Sequence, residues 1–342
     1  MENKIQIKNN AFDYIRYYAA LSVMLLHYTG YARIFSERGA SILSGIRSVT
    51  LFFPGVVVLF SLSGFLISAS RERTPDCKPF FRKRILRLFP ELWGCTLFNL
   101  LLLSILVFDR FDKSIFVWTI TQFFGIANTP SCLKDFATGS VNGALWTIFV
   151  ELQCYLLILV AYRFLQKLSL RGWCILLMLC AFVNLLAGRL APILPSFMQK
   201  LLERTLFPYV IWFLIGVFCY TKRTILLPLL KKYCPLLFVI YLLLYMTDLL
   251  HYGYYCSILI SLLCPFITIG LAYLLPAIRI KTDLSYGMFL YHWIVLNLLV
   301  HFNLFNKLPW LVCLMLFIAF TLVLSWCSTT FIGKAFRSRA QR

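Results

Sequence analysis

The sequence predicts an all-α integral membrane protein, a bundle of about ten transmembrane helices with both termini in the cytoplasm. Composition, the recurrence of apolar segments and the placement of positive charge lead there. Of 342 residues, 61% are hydrophobic and 13% are charged, against roughly 45–50% apolar and about 25% charged in a soluble globule. A globule of this size cannot hide that much apolar surface, and a bilayer is the solvent that removes the difficulty. Ten candidate spans follow, at approximately 12–31, 49–69, 89–108, 144–162, 173–191, 206–220, 235–250, 254–275, 284–303 and 309–332. The segment 115–127 is apolar but too short to span comfortably, and reads as an interfacial or re-entrant piece of a long loop.

Charge orients these spans. The net charge is +20, and the basic residues fall between apolar segments, which fits membrane topology and not a nucleic-acid partner. With the N-terminus inside, the cytoplasmic segments hold 22 of the Lys and Arg residues and the outer loops hold 10. That bias places both termini in the cytoplasm and makes the number of spans even. The first apolar stretch contains Arg16 and no small-residue cleavage site, so it reads as a retained helix and not a signal peptide. No repeat or soluble domain is visible: residues 1–342 read as a single membrane domain, ending in a short basic cytoplasmic tail at 333–342. The twelve cysteines form no CxxC pair and no zinc spacing, so no metal site is expected. A disulfide across one external loop stays open.

An ionisable side chain within a bilayer costs several kcal/mol unless it is paired or lines a cavity. Arg16, His27, Glu151 and His292 are therefore candidates for chemistry. Arg16 and His27 are eleven residues apart, about 20° apart in azimuth and about 16 Å in height on a helix. They share a face, with Asp13 one turn before Arg16 as a possible ion-pair partner. A snorkelling arginine and an interhelical histidine are the structural alternatives. Glu151 has Tyr155 one turn on, so a carboxylate and a phenol converge, for chemistry or for helix packing. Ser61, Gly64 and Ser68 form a small-residue stripe beside Ser63, which close packing or a thin channel would explain. The run Phe80 to Pro90 is the densest basic cluster. If it is helical, Arg84 and Arg87 share a face, and paired guanidiniums suit phosphate oxygens; a topology anchor is the alternative.

Taken in order, these segments resemble acyltransferase family 3 of membrane proteins. Asp13-x-x-Arg16 followed by His27 is similar to that family's first helix, and Gly55-Val56 through Ile67 to its second. Arg84-x-x-Arg87 up to Pro90 resembles its basic motif. Leu145-Trp146 to Glu151, with Gln153 and Tyr155, resembles its Trp/Glu helix. Ser285-Tyr286 with Leu290-Tyr291-His292-Trp293 resembles its penultimate helix. The sequence departs from the pattern at Val57 and Leu152, where the family often carries acidic residues.

The resemblance implies transfer of an acyl group, usually acetyl, from cytoplasmic acetyl-CoA (acyl-CoA) as co-substrate, with no tightly bound cofactor. The acceptor would be a hydroxyl of a surface or lipid-linked carbohydrate such as O-antigen or exopolysaccharide. It implies a multi-pass protein of the bacterial inner membrane, whose partners are the bilayer, acyl-CoA and the carbohydrate acceptor. On that reading His27 is the catalytic base, oriented by Glu151 or Tyr155. Arg16, Arg84 and Arg87 bind the donor, with Ser63 and His292 as secondary candidates. A transient acyl-histidine is a variant route. The rival from another class is a transporter or flippase that uses the intramembrane Arg, His and Glu as a path.

Overall fold

The computed structural model describes residues 10–35, 39–247, 252–278 and 280–336. Among these, every regular element is helical. Lys4, Lys8, Arg279, the end of the 235–250 segment and most of the tail at 333–342 lie outside the described residues.

The first seven α-helices are α1 (Phe12–Phe35), α2 (Ala40–Phe52), α3 (Gly55–Arg73), α4 (Cys77–Val107), α5 (Lys113–Phe123), α6 (Trp146–Lys167) and α7 (Leu170–Leu190). The remainder are α8 (Ser196–Glu203), α9 (Val210–Thr221), α10 (Arg223–Met246), α11 (Ile258–Leu274), α12 (Ser285–His301), α13 (Leu304–Lys307) and α14 (Trp310–Cys327).

Local chemistry sets several boundaries. Pro54 stands between α2 and α3, in an extended conformation that proline favours and a helix interior does not. Ser169 and Ser257 cap α7 and α11 by accepting from backbone N–H groups. Asp112 caps α5 by accepting from the Ser114 N–H and hydroxyl, and these bonds hold its carboxyl below the usual range.

Each of the ten expected spans overlaps helix, the one at 49–69 running from the end of α2 across Pro54 into α3, but six helical stretches are long and apolar enough to cross a membrane by length and composition. They are Ala40–Arg73, Cys77–Arg110, Gly143–Lys167, Leu170–Ile193, Arg223–Met246 and Trp310–Phe336. The other four fall short for physical reasons. In α1 the apolar content is diluted by Asp13, Arg16, His27, Arg33 and several tyrosines. Helices α9, α11 and α12 have only 12, 17 and 17 residues. Two boundaries also differ from expectation. The basic run expected as part of a 70–88 loop is instead the first part of α4, a helix that continues through Pro90. The short apolar piece at 115–127 overlaps α5, which starts two residues earlier at Lys113 and ends at Phe123.

The chain divides into two compact units. The first comprises Met1–Ala19, Phe52–Cys77 and Val150–Lys281. Its centre is α3 against α9, where α9 is buried from Val210 to Tyr220. A Cβ on Gly64 would collide with the Phe213 carbonyl, and one on Gly216 with the Ser61 carbonyl. Ser61 and Ser68 turn their hydroxyls back onto the Val58 and Gly64 carbonyls of their own helix. The small-residue stripe of α3 is thus a close helix contact, which leaves no room for a channel along it. Gly64→Val is expected to destabilise the protein by at least about 1–3 kcal/mol, because the obstacle is backbone and cannot rotate away. A lower midpoint of thermal unfolding in detergent checks this, and an unchanged midpoint would contradict it.

The second unit comprises Ala20–Leu51, Lys78–Phe149 and Thr282–Arg342. Here α12 packs on α14, with Gly287 against the Ser325 backbone. α14 ends in a π-helical turn, Ser328–Gly333. A satellite core gathers Leu103, Val107, Ile115, Trp118, Leu133, Phe136 and Val141 under the segment joining α5 to α6.

Candidate active site

In the second unit, α1 presents His27 to α12. Nδ1 of His27 lies 2.9 Å from Nε2 of His292. The ring planes differ by 1°, with centroids 5.1 Å apart, so the imidazoles meet edge to edge in nearly one plane. His292 is completely buried, at 0% exposure, and its Nδ1 lies 3.1 Å from the Met288 carbonyl oxygen one turn back. Trp293 packs across His27 with centroids 4.5 Å apart and an interplanar angle of 69°.

The segment before α6 holds that tryptophan. The Trp293 indole N–H donates to Thr138 Oγ1 and to the Ser140 carbonyl. Asn297, one turn further along α12, accepts from Thr138 N–H and Oγ1, and its amide donates to the Ser140 and Val141 carbonyls. Tyr31 on α1 donates to the Thr138 carbonyl. Gly143 faces the Trp293 ring so closely that an added Cβ would lie 2.6 Å from a ring carbon. Gly143→Ala is therefore expected to displace Trp293 from His27. It should cut turnover by about tenfold or more, the scale of loss expected when a small misplacement disturbs a catalytic group. Steady-state kinetics at matched protein level is the check, and a wild-type rate would contradict it.

Arg47 on α2 adds a positive group beside this pair. Its Nη1 donates at 3.0 Å to the carbonyl of Leu26, the residue before His27.

In the first unit, Glu151 Oε1 accepts from the Ser63 hydroxyl at 2.7 Å and from the Tyr155 hydroxyl at 2.5 Å. The structure thus brings together His27 with His292, and Glu151 with Ser63 and Tyr155. The ring partner of His27 within its unit is His292; Glu151 and Tyr155, which the sequence suggested for orienting His27, belong to the first unit. Gln153, on the same helix, bonds the Arg204 carbonyl and the Leu206 N–H, a packing role. Arg16 lies 3.8 Å from Asp13, and Asp13 also accepts from the Ile280 N–H.

Arg84 and Arg87 lie one turn apart near the start of α4 and are both partly buried. Arg84 also lies over the Phe80 ring, 5.7 Å from its centroid. Glu91 follows on the same face at the next turn, 1% exposed, facing the hydroxyls of Ser328 and Thr329 at 3.4 and 3.3 Å.

Sequence reasoning missed Arg47, Glu91, Asn297 and Gly143. Glu91 carried a readable signal, an acidic residue beginning an apolar run. Arg47 was counted only as an outer-loop charge. Nothing in the sequence marked Asn297 or Gly143, whose roles depend on a segment about 150 residues from Trp293.

The chain is 31% identical over 184 residues to a protein of Shigella phage Sf6 named O-acetyl transferase, an alignment covering 52% of each chain. It is 32% identical over 161 residues to Nodulation protein 10 of Rhizobium leguminosarum bv. viciae, covering 43% of this chain and 42% of that one. The chain thus spans about half the length of the curated relatives it matches. No solved structure matches. The sequence profile of the acyltransferase domain matches residues 9–330, nearly the whole chain and both compact units, and the protein therefore belongs to acyltransferase family 3.

Proposed function

We propose that the protein is an O-acyltransferase of the bacterial inner membrane. It moves an acyl group, acetyl in the first instance, from cytoplasmic acyl-CoA to a hydroxyl of a cell-surface or lipid-linked carbohydrate. The observation that carries this reading is the His27–His292 pair, two imidazoles held in contact by α1 and α12. Family membership supports the acyl chemistry. The name of the phage relative supports oxygen as the acceptor atom and acetyl as the group.

The reaction needs three things. The acceptor hydroxyl must lose a proton as its oxygen attacks the thioester carbonyl, and His27 takes that proton. Negative charge develops on the carbonyl oxygen, and a positive group beside the base stabilises it; Arg47 is the nearest candidate by chain position and contact. As the new C–O bond forms, the C–S bond breaks. The proton held by His27 passes to the departing CoA thiolate, so the products are an ester and neutral CoA thiol. Arg84 and Arg87 hold the CoA phosphates through charge-assisted contacts.

Purified protein in sealed proteoliposomes, given radiolabelled acetyl-CoA and glycan from the host cell, tests the reading. Label incorporated into glycan as an alkali-labile ester supports it. Passage of glycan or acyl-CoA without a new ester would replace it with a transport function.

A further inference from the structure

We infer that His292 is a positioning residue that fixes the tautomer of His27, so that His27 carries its proton on Nδ1 and presents Nε2 as the base. This rests on the acyltransferase reading above and deepens it.

The deduction runs through three atoms. The Met288 carbonyl oxygen can only accept, and it lies 3.1 Å from Nδ1 of His292. That nitrogen must therefore carry the hydrogen. In a neutral imidazole the other nitrogen is then a lone-pair acceptor, so Nε2 of His292 accepts. The atom facing it at 2.9 Å is Nδ1 of His27, which must donate. The remaining nitrogen of His27, Nε2, keeps its lone pair for the acceptor hydroxyl. The reverse assignment would point the Nδ1 lone pair of His292 at the Met288 carbonyl, two acceptors face to face inside a buried site, and that costs as much as an unmade buried hydrogen bond.

Rigidity supports the same conclusion. His292 has 0% exposure, and the two rings are within 1° of parallel. Trp293 lies against His27 and is itself held by Thr138 and Ser140. When His27 accepts the hydroxyl proton at Nε2, its Nδ1–H still points at the His292 lone pair. The imidazolium is stabilised without His292 changing its own proton. A neutral imidazole thus does here what an oriented carboxylate does behind other catalytic histidines.

The test has two arms. The chain has four histidines; replacing His251 and His301 by Gln leaves His27 and His292 to be read by nitrogen-15 imidazole NMR of the full-length protein in nanodiscs. Both rings are expected as neutral Nδ1–H tautomers, the minor form of a free histidine side chain. An Nε2–H tautomer at His27 would overturn the inference. This arm reads the pair whether or not the acyltransferase assignment holds.

The second arm compares His292→Gln with His292→Leu. The Gln amide oxygen can accept from His27 Nδ1–H, and Leu cannot. His292→Leu should lower kcat at least a hundredfold with KM for acetyl-CoA unchanged. His292→Gln should recover at least tenfold of that loss. Equal losses in the two variants, or a loss expressed in KM alone, would reduce His292 to a packing residue.

Discussion

His27→Gln is expected to abolish acyl transfer while leaving the protein inserted and able to bind acyl-CoA. Glutamine can hydrogen-bond to His292 but cannot take a proton at neutral pH. Positioned general-base catalysis contributes about 10²–10⁴-fold, so the rate should fall by that factor at matched membrane abundance. A route through a transient acyl-histidine would fail equally, since the amide is no nucleophile. His27→Ala should be as inactive, and it additionally leaves the His292 acceptor without its donor in a buried site. Acetyl transfer and CoA binding measured on the same preparation check this expectation. Substantial turnover by His27→Gln would move the base role to Glu151, whose carboxylate already gathers the Ser63 and Tyr155 hydroxyls.

Replacing both Arg84 and Arg87 by Gln should weaken the apparent affinity for acetyl-CoA and leave insertion unchanged. The two side chains project from one face of α4, one turn apart. Each charge-assisted contact to phosphate is worth about 1.5–3 kcal/mol, which is roughly ten- to a hundredfold in affinity per strong contact. The effect should appear in binding more than in kcat, because the phosphates lie far from the reacting carbonyl. Wild-type affinity in the double variant would make the cluster a topology anchor only. Higher ionic strength should weaken wild-type binding and leave the double variant nearly unaffected, since salt screens the lost interaction.

The helical class and the membrane setting were legible because they depend on composition and on local apolar runs, which need no partner to be read. Every expected span overlaps helix for that reason. Helix ends were less legible where two signals conflict. The basic run before Pro90 looks like a loop by polarity, yet its residues favour helix, and α4 begins thirteen residues before the proline. Lengths of the buried helices were overestimated at α9, whose apolar run is buried among neighbouring helices.

The site was half legible. His27, Glu151 and Tyr155 are ionisable residues in apolar surroundings, and such residues announce themselves; Arg84 and Arg87 stand out instead as part of the densest basic cluster. Ser63 with Glu151 is a contact across 88 positions and His27 with His292 one across 265. No periodicity reaches that far, so His292 ranked second until its neighbour was visible. The stripe at Ser61, Gly64 and Ser68 shows the opposite case. Small residues suit a channel or a close contact equally well, and only the position of the Phe213 carbonyl decides between them.

The most direct measurement follows a carbon-13 acetyl group from acetyl-CoA supplied to the cytoplasmic face of the full-length protein. Glycan is then recovered and analysed by mass spectrometry beside a His27→Gln control. Labelled acetyl ester on a glycan hydroxyl, matched mole for mole by free CoA and absent from the control, is the expected result. Unlabelled glycan with acetyl-CoA intact, or equal labelling by His27→Gln, would contradict acyl transfer by this imidazole pair.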